Sequence, residues 1–124
     1  MSIADISLND IFKGGFYVEK NIPLTEALFY ILLAVRKPNH GYGITQEVEE
    51  ITNGRVTLGP GTLYGAIQSL EKKGWIEVYS EDTSSRRKKE YIITPAGKAA
   101  FEEEKIRLTE LLKNSELMEE NKND

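Results

Sequence analysis

Residues 59 to 76 read Gly-Pro-Gly-Thr-Leu-Tyr-Gly-Ala-Ile-Gln-Ser-Leu-Glu-Lys-Lys-Gly-Trp-Ile, and a basic run, Arg86-Arg-Lys-Lys89, follows them. Leu63, Ile67 and Leu70 recur at the spacing of one helix face, so the segment predicts a helix with a single buried row. Gly74 is a typical residue to end such a helix. The remaining surface of the helix is therefore expected to face solvent.

The exposed face of this predicted helix carries side chains suited to reading nucleic acid. A rotation of 100° per residue places Tyr64, Gln68 and Lys72 together. Gly65 and Ser69 lie beside them, and Gly65 keeps the surface low. Gln68 can bond an adenine edge through two hydrogen bonds, and Thr62 can reach a phosphate near the helix start. The alternatives are plain solvent exposure for Gln68 and Lys72, and packing against the preceding helix for Tyr64.

Two strands are predicted after the helix, at residues 75–79 and 90–93, because apolar and polar residues alternate there. The side chains expected to face inward are Ile76, Val78, Tyr91 and Ile93. The connection at residues 80–89 is polar and too long for a tight turn, which is typical of a wing.

The predicted wing carries four consecutive cations, Arg86, Arg87, Lys88 and Lys89. Such a run is usually a solvated face. Because this one follows a helix with a reading face, we expect arginine in a minor groove and lysine on phosphates.

Two further helices precede this unit. Residues 24–36 are apolar on nearly every side, which is typical of a helix at the centre of a core. Residues 43–52 place Ile44, Val48 and Ile51 in one row, and Asn53-Gly54 supplies a left-handed stop. Three helices followed by a hairpin, over residues 23–94, predict a mainly α (α+β) fold: a winged helix-turn-helix with a two-stranded β wing.

The last predicted helix begins at Thr94-Pro95, with threonine as cap and proline in the first turn. It runs over residues 95–120 with apolar residues on opposite sides, so one side is expected to pack on the core and the other on a second copy. The proposed dimer contacts are Ile106, Leu108 and Leu112. The acids at 102–104 are expected to form a solvated face, and residues 121–124 a disordered tail.

The first 22 residues are expected to form an arm with a short helix that Ser7 caps. Leu8, Ile11 and Phe12 share one face of that helix, and Ile11 and Phe12 are the expected dimer contacts. A frayed terminus is the alternative, although it would expose many large apolar side chains.

Composition limits the function classes. The chain has 124 residues and a net charge of −4, all of which residues 99–124 account for. DNA responds to local charge, so a basic wing on an acidic chain remains compatible with binding. One histidine, His40, and no cysteine leave few options for catalysis or metal binding, so we expect a turn role for His40, no cofactor and no enzyme activity. Lacking a signal peptide or membrane span, the chain is expected in the cytoplasm.

Four motifs resemble the PadR family of bacterial transcriptional regulators across residues 24–108. They are His40-Gly-Tyr-Gly-Ile44, Gly61-Thr-Leu-Tyr64, Leu70-Glu-Lys-Lys-Gly-Trp-Ile76 and Arg86-Arg-Lys-Lys-Glu-Tyr-Ile-Ile-Thr-Pro-Ala-Gly97. The sequence departs from many members at Gly65, where they have proline, and in the wing, which lacks glycines before the arginine pair.

The resemblance implies a homodimer that binds a palindromic operator in double-stranded DNA and represses transcription. It implies that Thr62 and Tyr64 contact DNA, that the basic run forms the wing, and that the last helix dimerises. It also suggests a small aromatic inducer between the subunits, for which Phe12, Phe16 and Phe101 are candidate lining residues. A winged-helix module that binds protein instead of DNA is the alternative function.

Overall fold

The computed structural model describes residues 23–81 and 89–123, with side chains to residue 119. Within these ranges the elements are α1 (Glu26–Ala34), β1 (Asn39–His40), α2 (Gly41–Ile51), α3 (Pro60–Lys73), β2 (Ile76–Glu81), β3 (Lys89–Ile93) and α4 (Pro95–Asn123). The predicted arm at 1–22, with Ile11, Phe12 and Phe16, lies outside the described residues. So does the segment 82–88, which contains Arg86, Arg87 and Lys88.

Helix α1 lies at the centre of the core, as its apolar sequence predicted. Its Ile31 and Leu32 side chains are fully buried. Thr25 caps it, because the Thr25 hydroxyl accepts a hydrogen bond from the Leu28 N–H at 3.1 Å. The cap explains why the helix begins two residues later than predicted.

Helix α2 begins directly after the two-residue strand β1 and packs its Ile44 and Val48 into the core. Ile51 is exposed at the helix end, so its predicted place in the buried row is wrong. The helix is followed by Asn53 at φ 53° and Gly54 at φ 78°. These left-handed residues confirm the predicted stop.

The sheet has three antiparallel strands in the order β1-β3-β2, because β1 joins the predicted two-stranded hairpin. Val78 pairs with Tyr91 and Ser80 with Glu90, so Tyr79 is an extra residue in a bulge. Val78 is 40% exposed, and its predicted inward position is wrong. The residues of strand β2 after Ile76 are all exposed, so the core does not extend beneath them. The expected burial of Ile76, Tyr91 and Ile93 is confirmed.

Helix α4 is attached to the core through its first turns. The Thr94 hydroxyl accepts a hydrogen bond from the Gly97 N–H at 3.1 Å and donates one to the Gly74 carbonyl at 2.6 Å. Gly97 lies so close to the Trp75 backbone that a Cβ there would collide with it, and Ala100 is buried in the core cluster. The helical cap predicted at Thr94 is therefore confirmed.

The far end of α4 differs from the prediction. The helix continues to Asn123, through most of the segment 121–124 assigned to a disordered tail. The physical reason is that neither glycine nor proline interrupts the chain after Gly97. None of the helices in the described ranges is long and apolar enough to cross a membrane.

Candidate nucleic-acid interface

Helix α3 carries the exposed face that the sequence predicts to contact nucleic acid. Gly59 precedes it with extended backbone, Pro60 occupies its first turn, and Gly74 ends it at φ 76°. Leu63, Ile67 and Leu70 are buried against the core, as predicted. Because this row of side chains packs on the core, the opposite side of the helix remains exposed.

The exposed side of α3 brings several predicted residues together. Thr62, Gly65, Gln68 and Lys72 are all exposed. Gly65, Gln68, Ser69, Glu71 and Lys72 line one shallow concavity in the surface. The concavity therefore combines an amide, a hydroxyl, an ammonium and a carboxylate along two turns of helix. Glu71 is the member that sequence reasoning did not include.

Tyr64 combines the two interpretations that the sequence left open. Its side chain is 50% exposed. Its ring also lies over the first residue of α2, where a Cβ at Gly41 would be 3.0 Å from Tyr64 Cζ and closer still to the hydroxyl oxygen. One side of the tyrosine thus packs on the preceding helix, and the other side remains open to solvent.

Tyr91 on β3 connects the sheet with this region. Burial raises the pKa of the Tyr91 phenol, and the nearby Glu71, Tyr64 and Glu81 raise the pKa further. A neutral phenol therefore lies beneath the junction of α3 and the hairpin. The two acids nearby limit the positive charge of this surface.

Of the four predicted wing cations, Lys89 lies within the described residues. It is exposed at the start of β3 and pairs in register with Glu81. Arg86, Arg87 and Lys88 lie in the segment 82–88, outside the described residues, so their predicted roles remain predictions.

A polar network that no sequence pattern predicts holds α1 and α2 together. The Asn39 amide donates to the Ala34 carbonyl at 3.0 Å and to Glu47 Oε1 at 3.2 Å. Arg36 completes the network, pairing with Glu47 at 3.1 Å. Asn39 Oδ1 also lies where a Cβ at Gly43 would be. No periodic pattern marks Asn39, because it lies in the two-residue strand β1 between two helices.

His40 was predicted to be a turn residue, but it lies in strand β1 and has a structural role there as the cap of α2. Its Nδ1 accepts a hydrogen bond from the Gly43 N–H at 3.3 Å and caps α2. Beside it, Tyr42 is 67% exposed in the first turn of the same helix. Tyr42 was not among the predicted contacts. The only sequence signal for it is a large aromatic residue between two glycines.

The predicted dimer residues on α4, Ile106, Leu108 and Leu112, are all exposed in the isolated chain, as are Leu111, Leu117 and Met118. Phe101, a predicted ligand residue, is half-buried and stacks on Phe29 with ring centres 4.7 Å apart. Its ring therefore belongs in part to the core of its own chain.

The expectation of a solvated acidic face at 102–104 is wrong for Glu104, which is only 2% exposed. Its carboxylate accepts hydrogen bonds from Arg107 at 2.8 and 2.7 Å and from the Leu24 N–H at 3.2 Å. The Arg107 guanidinium holds the pKa of Glu104 below its ordinary value, against the opposing effect of burial. The sequence signal was its helical spacing from Gly97 and Ala100, which places it on the buried side.

A family model described as the transcriptional regulator PadR-like family matches residues 30–103. A transcriptional regulator of Mycobacterium tuberculosis is 35% identical over 72 residues, which are 58% of this chain and 64% of that protein. The chain spans less than two thirds of the length of the curated relatives it matches.

Solved structures give the same result for the fold. A PadR family transcription regulator from Clostridium difficile has 30% identity and a TM-score of 0.56, over 73% of this chain and 96% of that one. Bordetella bronchiseptica BpsR, whose DNA binding is regulated by 6-hydroxynicotinic acid, has 26% identity and a TM-score of 0.58. That match covers 78% of this chain and 70% of BpsR. With the family model matching more than half of its residues, the chain belongs to the PadR-like family of transcriptional regulators.

Proposed function

We propose that this protein regulates transcription by binding double-stranded DNA, with α3 in the major groove. The observation that carries the proposal is the exposed face of α3, with Thr62, Gly65, Gln68 and Lys72 above a fully buried row. In a helix-turn-helix pair the second helix enters the groove and its N-terminal residues contact the bases. Family membership supports this function.

Each exposed residue on α3 has a chemical role in this proposal. Gln68 offers two hydrogen bonds to an adenine edge, whereas Thr62 and Lys72 contact phosphates. Gly65 lets the DNA approach the backbone. The carboxylate of Glu71 repels phosphates, which weakens binding at sites where the other contacts are imperfect.

Tyr64 and Tyr42 extend the contact surface towards α2. The packing of Tyr64 over Gly41 supports a fixed ring that presents its free edge to the sugar-phosphate backbone. Tyr42 is exposed in the first turn of α2, the helix that crosses the backbone in such pairs. The wing residues Arg86, Arg87, Lys88 and Lys89 are proposed to contact phosphates and the minor groove.

A homodimer is proposed because α4 exposes a set of large apolar residues that a second copy would cover, with Ile106, Leu108 and Leu112 in contact. A twofold dimer presents two copies of α3, which matches a palindromic operator with half-sites about 34 Å apart. The predicted N-terminal contacts, Ile11 and Phe12, belong to the same proposal.

Repression follows if the operator overlaps the promoter. We further propose release by a small aromatic effector between the subunits, with Phe12, Phe16 and Phe101 as lining residues. The regulation of BpsR by 6-hydroxynicotinic acid supports an effector of this class. A DNA-binding regulator acts where the chromosome is accessible, so we propose that the protein is cytoplasmic. The proposed function needs no cofactor.

The test is a gel-shift titration of the full chain against the DNA upstream of its own gene, from low to high salt. The expected result is retardation of the DNA at low salt. As the salt concentration rises, the logarithm of the affinity should fall linearly with the logarithm of the salt concentration. Random DNA of the same length is the control, and it should bind at least tenfold more weakly. Absence of retardation at low salt would refute DNA binding and favour a protein-binding winged helix.

A further inference from the structure

The surroundings of α4 change abruptly along its length. Gly97, Ala100 and Glu104 are buried against the body, and Phe101 is half-buried. From Leu108 to residue 119 the side chains are all exposed. The first half of the helix is therefore attached to the winged-helix body, whereas the second half extends away from it.

Two of the contacts between this attached half and the start of the described chain differ in kind. Phe101 stacks on Phe29 with an angle of 26° between the rings. An apolar contact of this kind tolerates sliding, because burial of apolar surface has no direction. Glu104 instead accepts hydrogen bonds with fixed geometry, two from Arg107 on the next turn and one from the Leu24 N–H outside the helix.

Because Glu104 is buried, loss of its hydrogen-bond partners would cost free energy. An ionised carboxylate that loses its partners inside a protein is strongly disfavoured, whereas one that keeps them is tolerated. A rotation or tilt of α4 that moves the carboxylate away from the Leu24 N–H loses this hydrogen bond, whereas the Phe101 ring can slide on Phe29. The hydrogen bonds of Glu104 therefore favour one orientation of α4 on the body.

A small change in the direction of α4 is therefore a larger displacement at the far end of its exposed half. Residues 107 to 119 extend for about 18 Å at about 1.5 Å per residue. A tilt of about 10° at the anchor moves the far end by about 3 Å, which is close to the rise of one base pair, about 3.4 Å.

From these contacts we infer that Glu104 is a positioning residue: it sets the direction of α4 and so the separation of the two α3 helices in the dimer. The inference rests on the dimeric DNA-binding function proposed above and deepens it. Glu104 and Arg107 both lie beyond residue 103, where the family match ends.

The first test measures the separation without DNA. Because the sequence has no cysteine, Gln46→Cys gives a single spin-label site, exposed on α2 of each copy. The label-to-label distance distribution is measured by pulsed electron resonance in the otherwise unchanged dimer, in Glu104→Gln and in Arg107→Lys. The matched control is Glu103→Gln, an exposed neighbour.

We expect the distribution to widen at least twofold in Glu104→Gln and to a smaller extent in Arg107→Lys, which keeps the charge but loses the paired hydrogen bonds. Glu103→Gln should match the parent protein. Equal widths in all the folded variants would overturn the inference, as would a monomer at the labelling concentration. Arg107→Lys keeps the test decisive should Glu104→Gln not fold.

The second test uses operator fragments recovered from a pool of double-stranded DNA by the wild-type protein. Changing the half-site spacing by one or two base pairs should lower wild-type affinity at least tenfold and Glu104→Gln affinity less than threefold. An identical loss in both proteins would show that Glu104 only stabilises the fold. Failure of the wild type to bind any DNA would count against the proposed function, and the label distances would still decide the role of Glu104.

Discussion

The ring of Tyr64, on the exposed side of α3, ends directly over Gly41, in the first turn of α2. A Cβ on Gly41 would meet the tyrosine Cζ at 3.0 Å and would come closer still to its hydroxyl oxygen. Glycine at position 41 thus leaves room for the end of the Tyr64 side chain. The same contact fixes the direction of a side chain on the candidate DNA-binding face.

The first prediction concerns Gly41→Ala. The new methyl must displace Tyr64 or separate the helices, so we expect a loss of about 1–3 kcal/mol in the free energy of unfolding and weaker operator binding. Urea denaturation and a gel shift measure the two effects. Gly41→Ala with wild-type stability would show that Tyr64 moves freely, and the tyrosine could not then be a fixed contact.

Tyr64→Phe separates packing from DNA contact. The phenyl ring loses the hydroxyl contact with Gly41 but keeps the contact of Cζ, so the melting temperature should change little. If the Tyr64 hydroxyl bonds a phosphate, operator and random DNA should both bind more weakly, by about threefold to tenfold. Fluorescence anisotropy with labelled duplexes measures both affinities. Unchanged affinity would show that the Tyr64 hydroxyl contacts no phosphate.

Gly65→Ala tests the close approach of DNA to α3. A Cβ at this position meets nothing within 4 Å, and alanine favours a helix by about 0.5–1 kcal/mol over glycine. The variant should therefore be as stable as the wild type or slightly more so. Its operator affinity should nevertheless fall at least fivefold, because the methyl occupies the interface. Wild-type affinity in this stable variant would place the DNA away from Gly65.

The sequence predicts a structural feature when the residues that form it lie close together in the chain at a regular spacing. The buried row of α3 and its stop at Gly74 follow from periodicity and from the left-handed preference of glycine, and both were correct. Val78 was misplaced because the bulge at Tyr79 and the extent of the core beneath β2 are set by other parts of the chain. The same holds for the two-residue strand β1, which exists only because β3 pairs with it.

The candidate site was predictable to a similar degree. The exposed positions on α3 followed from the same periodicity, whereas the ring of Tyr64 over Gly41 depends on how two helices meet. Glu104 looked like its exposed neighbours because three consecutive acids conceal which of them turns inward. Its partner at Leu24 lies 80 residues away and is a backbone N–H, for which a sequence gives no signal.

Lys72→Ala tests the phosphate contact on α3. Removing one cation that neutralises a phosphate should reduce the slope of log affinity against log salt by about one, on operator and random DNA alike. Lys113→Ala is the matched control, since it removes an exposed lysine from the far half of α4. Equal slopes for the two variants would mean that Lys72 lies outside the DNA contact.

The last prediction concerns the pH dependence of stability, which follows from Glu104. Arg107 and the Leu24 N–H bind the ionised carboxylate and hold the pKa of Glu104 below its ordinary value. The resulting stabilisation is complete above the unfolded glutamate pKa of about 4.3 and is lost as the pH falls through the lower folded pKa. Glu104→Gln should therefore be about 1–3 kcal/mol less stable at pH 7, and the difference should shrink below about pH 4.

Urea denaturation between about pH 7 and pH 3 measures this difference, with Glu103→Gln as the control because Glu103 is exposed on the adjacent helix position. Comparing variants at each pH cancels the titration of the other acids, including Glu26, whose pKa the hydrogen bond from Arg55 lowers. A gap between wild type and Glu104→Gln that stays constant with pH would mean that the Glu104 charge contributes nothing to stability. In that case shape alone would hold α4 on the body.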